Sequence, residues 1–201
     1  GLTVTSSTLS TLIIRRKGRF VKFRYKGVLL MPASPFTCVG FPPSIDANCT
    51  HIILGSMPGA ASLRAQQYYA YPQNRFWRLM AYLLEGGEPP QDYTARLQML
   101  LRHHIALWDS IASCEREGSL DSAIRAAKPN DFTALLAHYP RLSTFCLNGG
   151  KSADTFRRAN KPLLKRDDLT FHALPSTSAA NARWRFDDLA KAWKKALPLE
   201  E

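Results

Sequence analysis

The chain has 201 residues, 45% hydrophobic and 21% charged, which fits one soluble globular domain with a sizeable core. No run approaches the ~20 apolar residues that a membrane helix needs, so a helical span is excluded. The formal charge of +11 is lopsided: residues 1–40 hold seven basic side chains (Arg15, Arg16, Lys17, Arg19, Lys22, Arg24, Lys26) and no acid, and the rest is only mildly basic, as suits a DNA-binding protein without demanding one.

Residues 1–30 do not read like the remainder of the chain. A signal peptide needs a positive segment ahead of an apolar one, and the order here is wrong. A basic DNA-binding arm competes with translation of sequence upstream of a start at Met31. The second is favoured, so residues 1–40 are expected to be an atypical basic extension, disordered or not native, and residues 41–201 a single domain.

Phe41-Pro42-Pro43 leads into Ile52-Ile53-Leu54, a short apolar run that reads as a buried strand. The run breaks at once into Gly55-Ser56-Met57-Pro58-Gly59, where backbone can approach a ligand closely. A polar and aromatic loop follows over 66–74, and a helix begins at Arg75-Phe76-Trp77. Phe76, Met80, Leu83 and Leu84 share one face of it, and Gly86-Gly87 stops it. A second helix is expected over 92–103. Ile105-Ala106-Leu107-Trp108 reads as strand two, ending at Asp109-Ser110. Gly118-Ser119-Leu120-Asp121 reads as a loop with a helix cap, with short helices to Tyr139.

Thr144-Phe145-Cys146-Leu147 is strand three and leaves through Asn148-Gly149-Gly150-Lys151 into a helix. Thr170-Phe171-His172-Ala173-Leu174 is strand four and leaves through Pro175-Ser176-Thr177-Ser178 into a last helix, with Phe186, Leu189 and Trp193 on its core face. Strands separated by helices, without hairpin signals, imply an α/β fold: a three-layer α/β/α sandwich around a central four-stranded parallel sheet. Ligands bind such sheets at the carboxyl ends of the strands. The four cysteines, Cys38, Cys49, Cys114 and Cys146, have no paired spacing. No disulfide framework, zinc site or iron–sulfur cluster is therefore expected, and reduced thiols fit a cytoplasmic protein.

The stretch 55–77 resembles motif 1 of the uracil-DNA glycosylase superfamily in the form of its hypoxanthine-DNA (deoxyinosine) glycosylase branch. The branch pattern GSxPG stands as GSMPG at 55–59, SL stands at 62–63, and QYYxHPxNxFW stands as QYYAYPQNRFW at 67–77. Tyr71 replaces the usual histidine. Leu174-Pro175-Ser176-Thr177-Ser178 with Asn181 resembles motif 2 as LPSTSxAN, and Asn148-Gly149 resembles the NG segment. The resemblance implies a monofunctional glycosylase of base excision repair, acting on deaminated bases in DNA, chiefly hypoxanthine. No cofactor, metal or membrane is implied, and a monomer is expected. The alternatives are a uracil- or xanthine-active mismatch glycosylase and a lesion-binding protein that does not cleave.

An enzyme acting on a base extrudes it, stacks it and reads its edge. By resemblance Asn74 is the catalytic amide, able to position water and hydrogen-bond the departing base; read from its place alone, it caps the helix behind it. Met57 stands where related enzymes have an asparagine, and it cannot activate water. Gly55, Ser56 and Met57 offer backbone to the base. Tyr68 or Tyr69 either stacks on the base or packs the loop. Asp109 is either a polar contact or base in the pocket, or a solvated loop carboxylate. Asn148 has the donor and acceptor to read a Watson–Crick edge. Ser176, Thr177 and Ser178, at an expected helix N-terminus, with Asn181 and Lys151, are expected to hold a phosphate.

Overall fold

The structure is a computed structural model. It describes residues 36–199 throughout and, before them, only the backbone of residues 3–5, 9–16, 19–26 and 29–31. The chain divides into two compact units, Gly1–Thr37 and Cys38–Glu201. In the first, β1 (Thr3–Thr5) pairs antiparallel with β4 (Leu29–Met31), and β2 (Leu9–Arg16) with β3 (Arg19–Lys26). The side chains of the basic extension lie outside the described residues.

The second unit contains the sheet expected from the apolar runs. After β5 (Thr37–Val39) come β6 (His51–Gly55), α1 (Ala60–Ala65), α2 (Phe76–Glu85), α3 (Tyr93–Arg102) and β7 (Ile105–Asp109). Then come β8 (Ile111–Glu115), β9 (Arg125–Pro129), α4 (Phe132–His138), β10 (Thr144–Asn148), α5 (Gly150–Ala159), β11 (Thr170–Leu174) and α6 (Phe186–Lys194). The main sheet has the order β11-β10-β6-β7, and every pairing in it is parallel.

Alternate residues of the central strands feed two cores, as the period of a strand requires. Ile53, Ile105, Leu107 and Cys146 face Phe76, Met80, Leu100, Leu189 and Trp193 of α2, α3 and α6. Ile52, Leu54, Ala106, Phe145 and Leu147 face Phe132, Leu136 and Phe156 of α4 and α5. Burial on both faces explains why β6 and β10 are near-continuous apolar runs. The architecture is the expected three-layer sandwich.

Two local readings need correction. The segment after strand two does not go straight into helices. β8 pairs antiparallel with β9, in a separate sheet of order β5-β8-β9, and the only helix between them is a 3₁₀ turn at Asp121–Ala123. The alanines of Arg125-Ala126-Ala127-Lys128 suit a helix by propensity. Pairing with β8 outweighs that weak local preference. Second, α6 begins at Phe186, capped at Arg185, so Ser176–Ser178 are not at a helix N-terminus.

Candidate active site

From β6 the chain crosses to β7 on one side, and from β10 to β11 on the other. The carboxyl ends of β6 and β10 are therefore a topological switch point, where a crevice forms. A cleft of about 1340 Å³ opens there.

Gly55 and Asp109 are direct partners in the β6–β7 register. A Cβ on residue 55 would lie 2.4 Å from Asp109 Oδ1 and 3.1 Å from Tyr69 Oη. Only glycine lets these groups share the space. Asp109 is 3% exposed, and its Oδ2 has no hydrogen-bond partner among the described residues. Burial lifts this carboxyl to about 8; the Arg116 cation opposes the rise and Asp121 adds to it. It is therefore mostly neutral at pH 7, able to donate a proton, rather than a solvated loop carboxylate.

The two tyrosines part company. Tyr68 is built into the core: its hydroxyl donates to Pro42 O, its N–H donates to Tyr93 Oη, and its ring meets Phe41 edge-on. Tyr69 turns at φ 54°, a backbone region that tyrosine rarely adopts. Its ring stacks on Phe76 at 3.8 Å, and its hydroxyl accepts from Asn148 Nδ2 at 3.0 Å. An unfavoured backbone angle held by packing at a cleft points to function. Burial also raises the Tyr69 phenol well above its ordinary value.

Asn74 lines the cleft, and its Oδ1 accepts the N–H of Phe76 at 3.0 Å. Asn74 is not the N-cap of α2, which is Arg75, but from one position further out it satisfies the first N–H of the helix. That bond also orients the amide: with the oxygen on a backbone donor, the nitrogen must point elsewhere. Nδ2 makes no hydrogen bond among the described residues, so Asn74 presents a donor. Met57 is buried with Ile111, Cys114 and Ile124 and also lines the cleft.

Both N–H donors of Asn148 are engaged. Nδ2 donates to Tyr69 Oη and to Thr177 Oγ1, and Oδ1 accepts from Thr177 N. The amide joins the loops after β6 and β11 and keeps no N–H with which to read a base. Thr177 is fully buried in that contact, which removes it from any phosphate. The Ser176 and Ser178 hydroxyls accept from Ser178 N and Ala180 N, and Asn181 Nδ2 donates to Ser176 O.

Arg75 ties this loop down. Its guanidinium donates to the carbonyls of Thr177, Trp184, Ser178 and Asn181, and the Ser178 and Asn181 carbonyls also close backbone turns by accepting from Asn181 N and Trp184 N. Close approach of the loops requires Gly149, at φ 93°, where a Cβ would meet that of Ser176 at 2.9 Å. Lys151 does not line the cleft, whereas Arg157 and Arg183 do.

Sequence reasoning missed a second support. Arg116, 4% exposed, donates to the carbonyls of Met57 and Pro58. Ser56 Oγ donates to Asp121 at 2.6 Å, and Ala60 N donates to Ser119 Oγ at 2.9 Å. The run 115–121, Glu-Arg-Glu-Gly-Ser-Leu-Asp, reads as a solvated loop; its only other signal was the crowding of charge and small polar residues beside a strand.

Comparison with known proteins agrees with this geometry. The family model of the Uracil DNA glycosylase superfamily matches residues 42–197. A protein of Methanosarcina acetivorans named hypoxanthine DNA glycosylase is 41% identical over 147 residues, which are 72% of this chain and 89% of that protein. A protein of the same name from Methanosarcina barkeri is 38% identical over 144 residues, 72% of this chain and 88% of its own. A solution NMR structure of a candidate uracil DNA glycosylase from Methanosarcina acetivorans superposes with a TM-score of 0.65 at 36% identity, over 80% of this chain and 98% of that one. The match extends from Pro42, ahead of the first strand of the main sheet, to Leu197, just past the last helix: the chain belongs to the uracil DNA glycosylase superfamily.

Proposed function

We propose that the chain is a monofunctional DNA glycosylase that hydrolyses the bond between deoxyribose and hypoxanthine in DNA. One observation carries the reading. A buried, unpartnered carboxyl (Asp109) and an unpartnered amide donor (Asn74) line one cleft at the switch point. The 38–41% identity to proteins named hypoxanthine DNA glycosylase supports the choice of base.

The nucleotide leaves the stack and its base enters the cleft. Tyr69, backed by Phe76, offers its free face for stacking. Asn148 positions that ring through the hydroxyl and does not touch the base. As the C1′–N9 bond breaks, its electron pair passes to the purine. Asp109 gives its proton to the departing base and Asn74 Nδ2 donates a hydrogen bond, so developing charge is met by preorganised donors. Water adds its oxygen to C1′ and releases a proton to solvent. The products are free hypoxanthine and an abasic site. The loop 176–181, with Arg157 and Arg183, supports the neighbouring phosphates.

The test is alkali-revealed abasic sites in oligonucleotides carrying deoxyinosine, deoxyxanthosine or deoxyuridine. Deoxyinosine is expected to give the fastest single-turnover rate. A faster rate on deoxyuridine would favour the uracil activity for which the solved neighbour is named. Tight binding of deoxyinosine DNA with no abasic product would make the protein a lesion binder and overturn the reading.

A further inference from the structure

Among the described residues, only two buried side-chain polar atoms have no hydrogen-bond partner: Asp109 Oδ2 and Arg116 Nε. Both side chains meet the same short turn. Gly55, at its start, stands against the Asp109 carboxyl, and Arg116 donates to the carbonyls of Met57 and Pro58 at its end.

A buried guanidinium is ordinarily paired with a carboxylate, because taking an unpaired charge out of water is costly. Arg116 is buried, yet among the described residues no carboxylate lies within ion-pair distance of it. Holding the loop does not by itself call for this arrangement. Two carbonyls need two N–H donors, which a neutral side-chain amide also carries. The cation is therefore more than the loop requires.

The surplus charge acts on Asp109, where it opposes the rise that burial causes. The other titratable groups around that carboxyl do not share this effect. Asp121 acts in the opposite sense. Tyr68 and Tyr69 of the 66–74 loop and Tyr93 of α3 are phenols raised by burial, so they stay neutral where Asp109 titrates.

We propose that Arg116 is a positioning residue of the glycosylase that works through Asp109: its unpaired buried charge keeps that carboxyl able to release a proton near neutral pH. The proposal rests on the reading of Asp109 as the acid that protonates the departing base. Without the cation, the desolvated carboxyl would hold its proton too firmly to pass it on.

The experiment is single-turnover cleavage of deoxyinosine DNA as a function of pH by wild type, Arg116→Gln and Arg116→Lys. Arg116→Gln keeps N–H donors for the loop and removes the charge, whereas Arg116→Lys keeps the charge. The alkaline limb of Arg116→Gln is expected to move up by roughly one pH unit or more, because a carboxyl that loses a neighbouring cation stays protonated to higher pH. Arg116→Lys is expected to keep the limb near that of wild type. Arg116→Met, a second neutral side chain, carries the same expectation as Arg116→Gln if the latter does not fold. A limb that stays in place in the neutral variants overturns the proposal, since a purely structural role lowers the rate without moving the titration. Equal displacement in the lysine variant also overturns it, because charge would not be the cause. A wild type that cleaves but has no alkaline limb removes Asp109 as the acid, and the proposal with it, while the glycosylase reading stands. If wild type cleaves no deoxyinosine DNA, both fall together.

Discussion

Asn74 spends its acceptor on the Phe76 N–H and keeps its donors for the cleft, and this division makes its two roles separable. Asn74→Ser and Asn74→Asp both retain a side-chain oxygen that can accept from the Phe76 N–H, whereas Asn74→Ala loses that hydrogen bond at about 1 kcal/mol. Neither serine nor aspartate places an N–H donor where Nδ2 stands. All three variants should therefore cleave deoxyinosine roughly 10²–10³ times more slowly, while only the alanine variant melts early. Wild-type rates in the serine variant would move the chemistry to Asp109. Asp109 in turn predicts a pH dependence. Its carboxyl is raised from 3.8 to about 8, so the folded chain holds a proton that the unfolded chain has released. Its contribution to stability is full below the unfolded value and is lost as pH rises through about 8. Single-turnover cleavage should fall through the same upper value as the acid is lost. Asp109→Asn should abolish that limb of the rate profile and flatten the decline of Tm. A limb that survives in the variant would assign the titration to another group.

At the scale of elements, the site is made of loops that regular structure does not control, and arginines replace that control. Arg75, the residue between Asn74 and α2, ties four carbonyls of the 177–184 loop to the start of that helix. Arg75→Met should cost about 2 kcal/mol in lost charge-assisted bonds. It should also weaken DNA binding more than it slows chemistry, if the loop supports phosphates as proposed. Arg75→Lys keeps the charge but lacks the planar fork, so it should recover only part of either loss. Fluorescence anisotropy and single-turnover rates on the three proteins would separate the effects. An Arg75→Met variant with unchanged affinity would show that the loop keeps its shape without the fork.

Across the whole molecule, activity should reside in the second unit. The family match begins at residue 42, and among the described residues both cores are built from side chains of the second unit. A chain beginning at Met31 is therefore expected to fold with the Tm of the full chain and to retain its cleavage rate on deoxyinosine. Loss of duplex affinity in the shortened chain, steepest at low salt, would instead make the seven basic residues of the extension a DNA-binding arm.

What was determined by the sequence alone is the part governed by local pattern. Apolar runs of strand length, punctuated by Gly-Pro and Asn-Gly-Gly, located all four strands of the main sheet and the loops that carry the site. The ordered motif residues pointed to Asn74. Interactions between residues distant in sequence were not legible. That Asp109 is neutral follows from burial against Gly55, more than fifty positions earlier. That Asn148 is a strut follows from the hydroxyls of Tyr69 and Thr177 occupying its amide. That the last helix starts at Phe186 and not at Ser176–Ser178 was not legible either, and the intervening loop is held by Arg75, about a hundred residues before it. Periodicity records which face of an element is apolar, but hydrogen-bond acceptors and desolvated charges acquire their partners only when the chain closes around them.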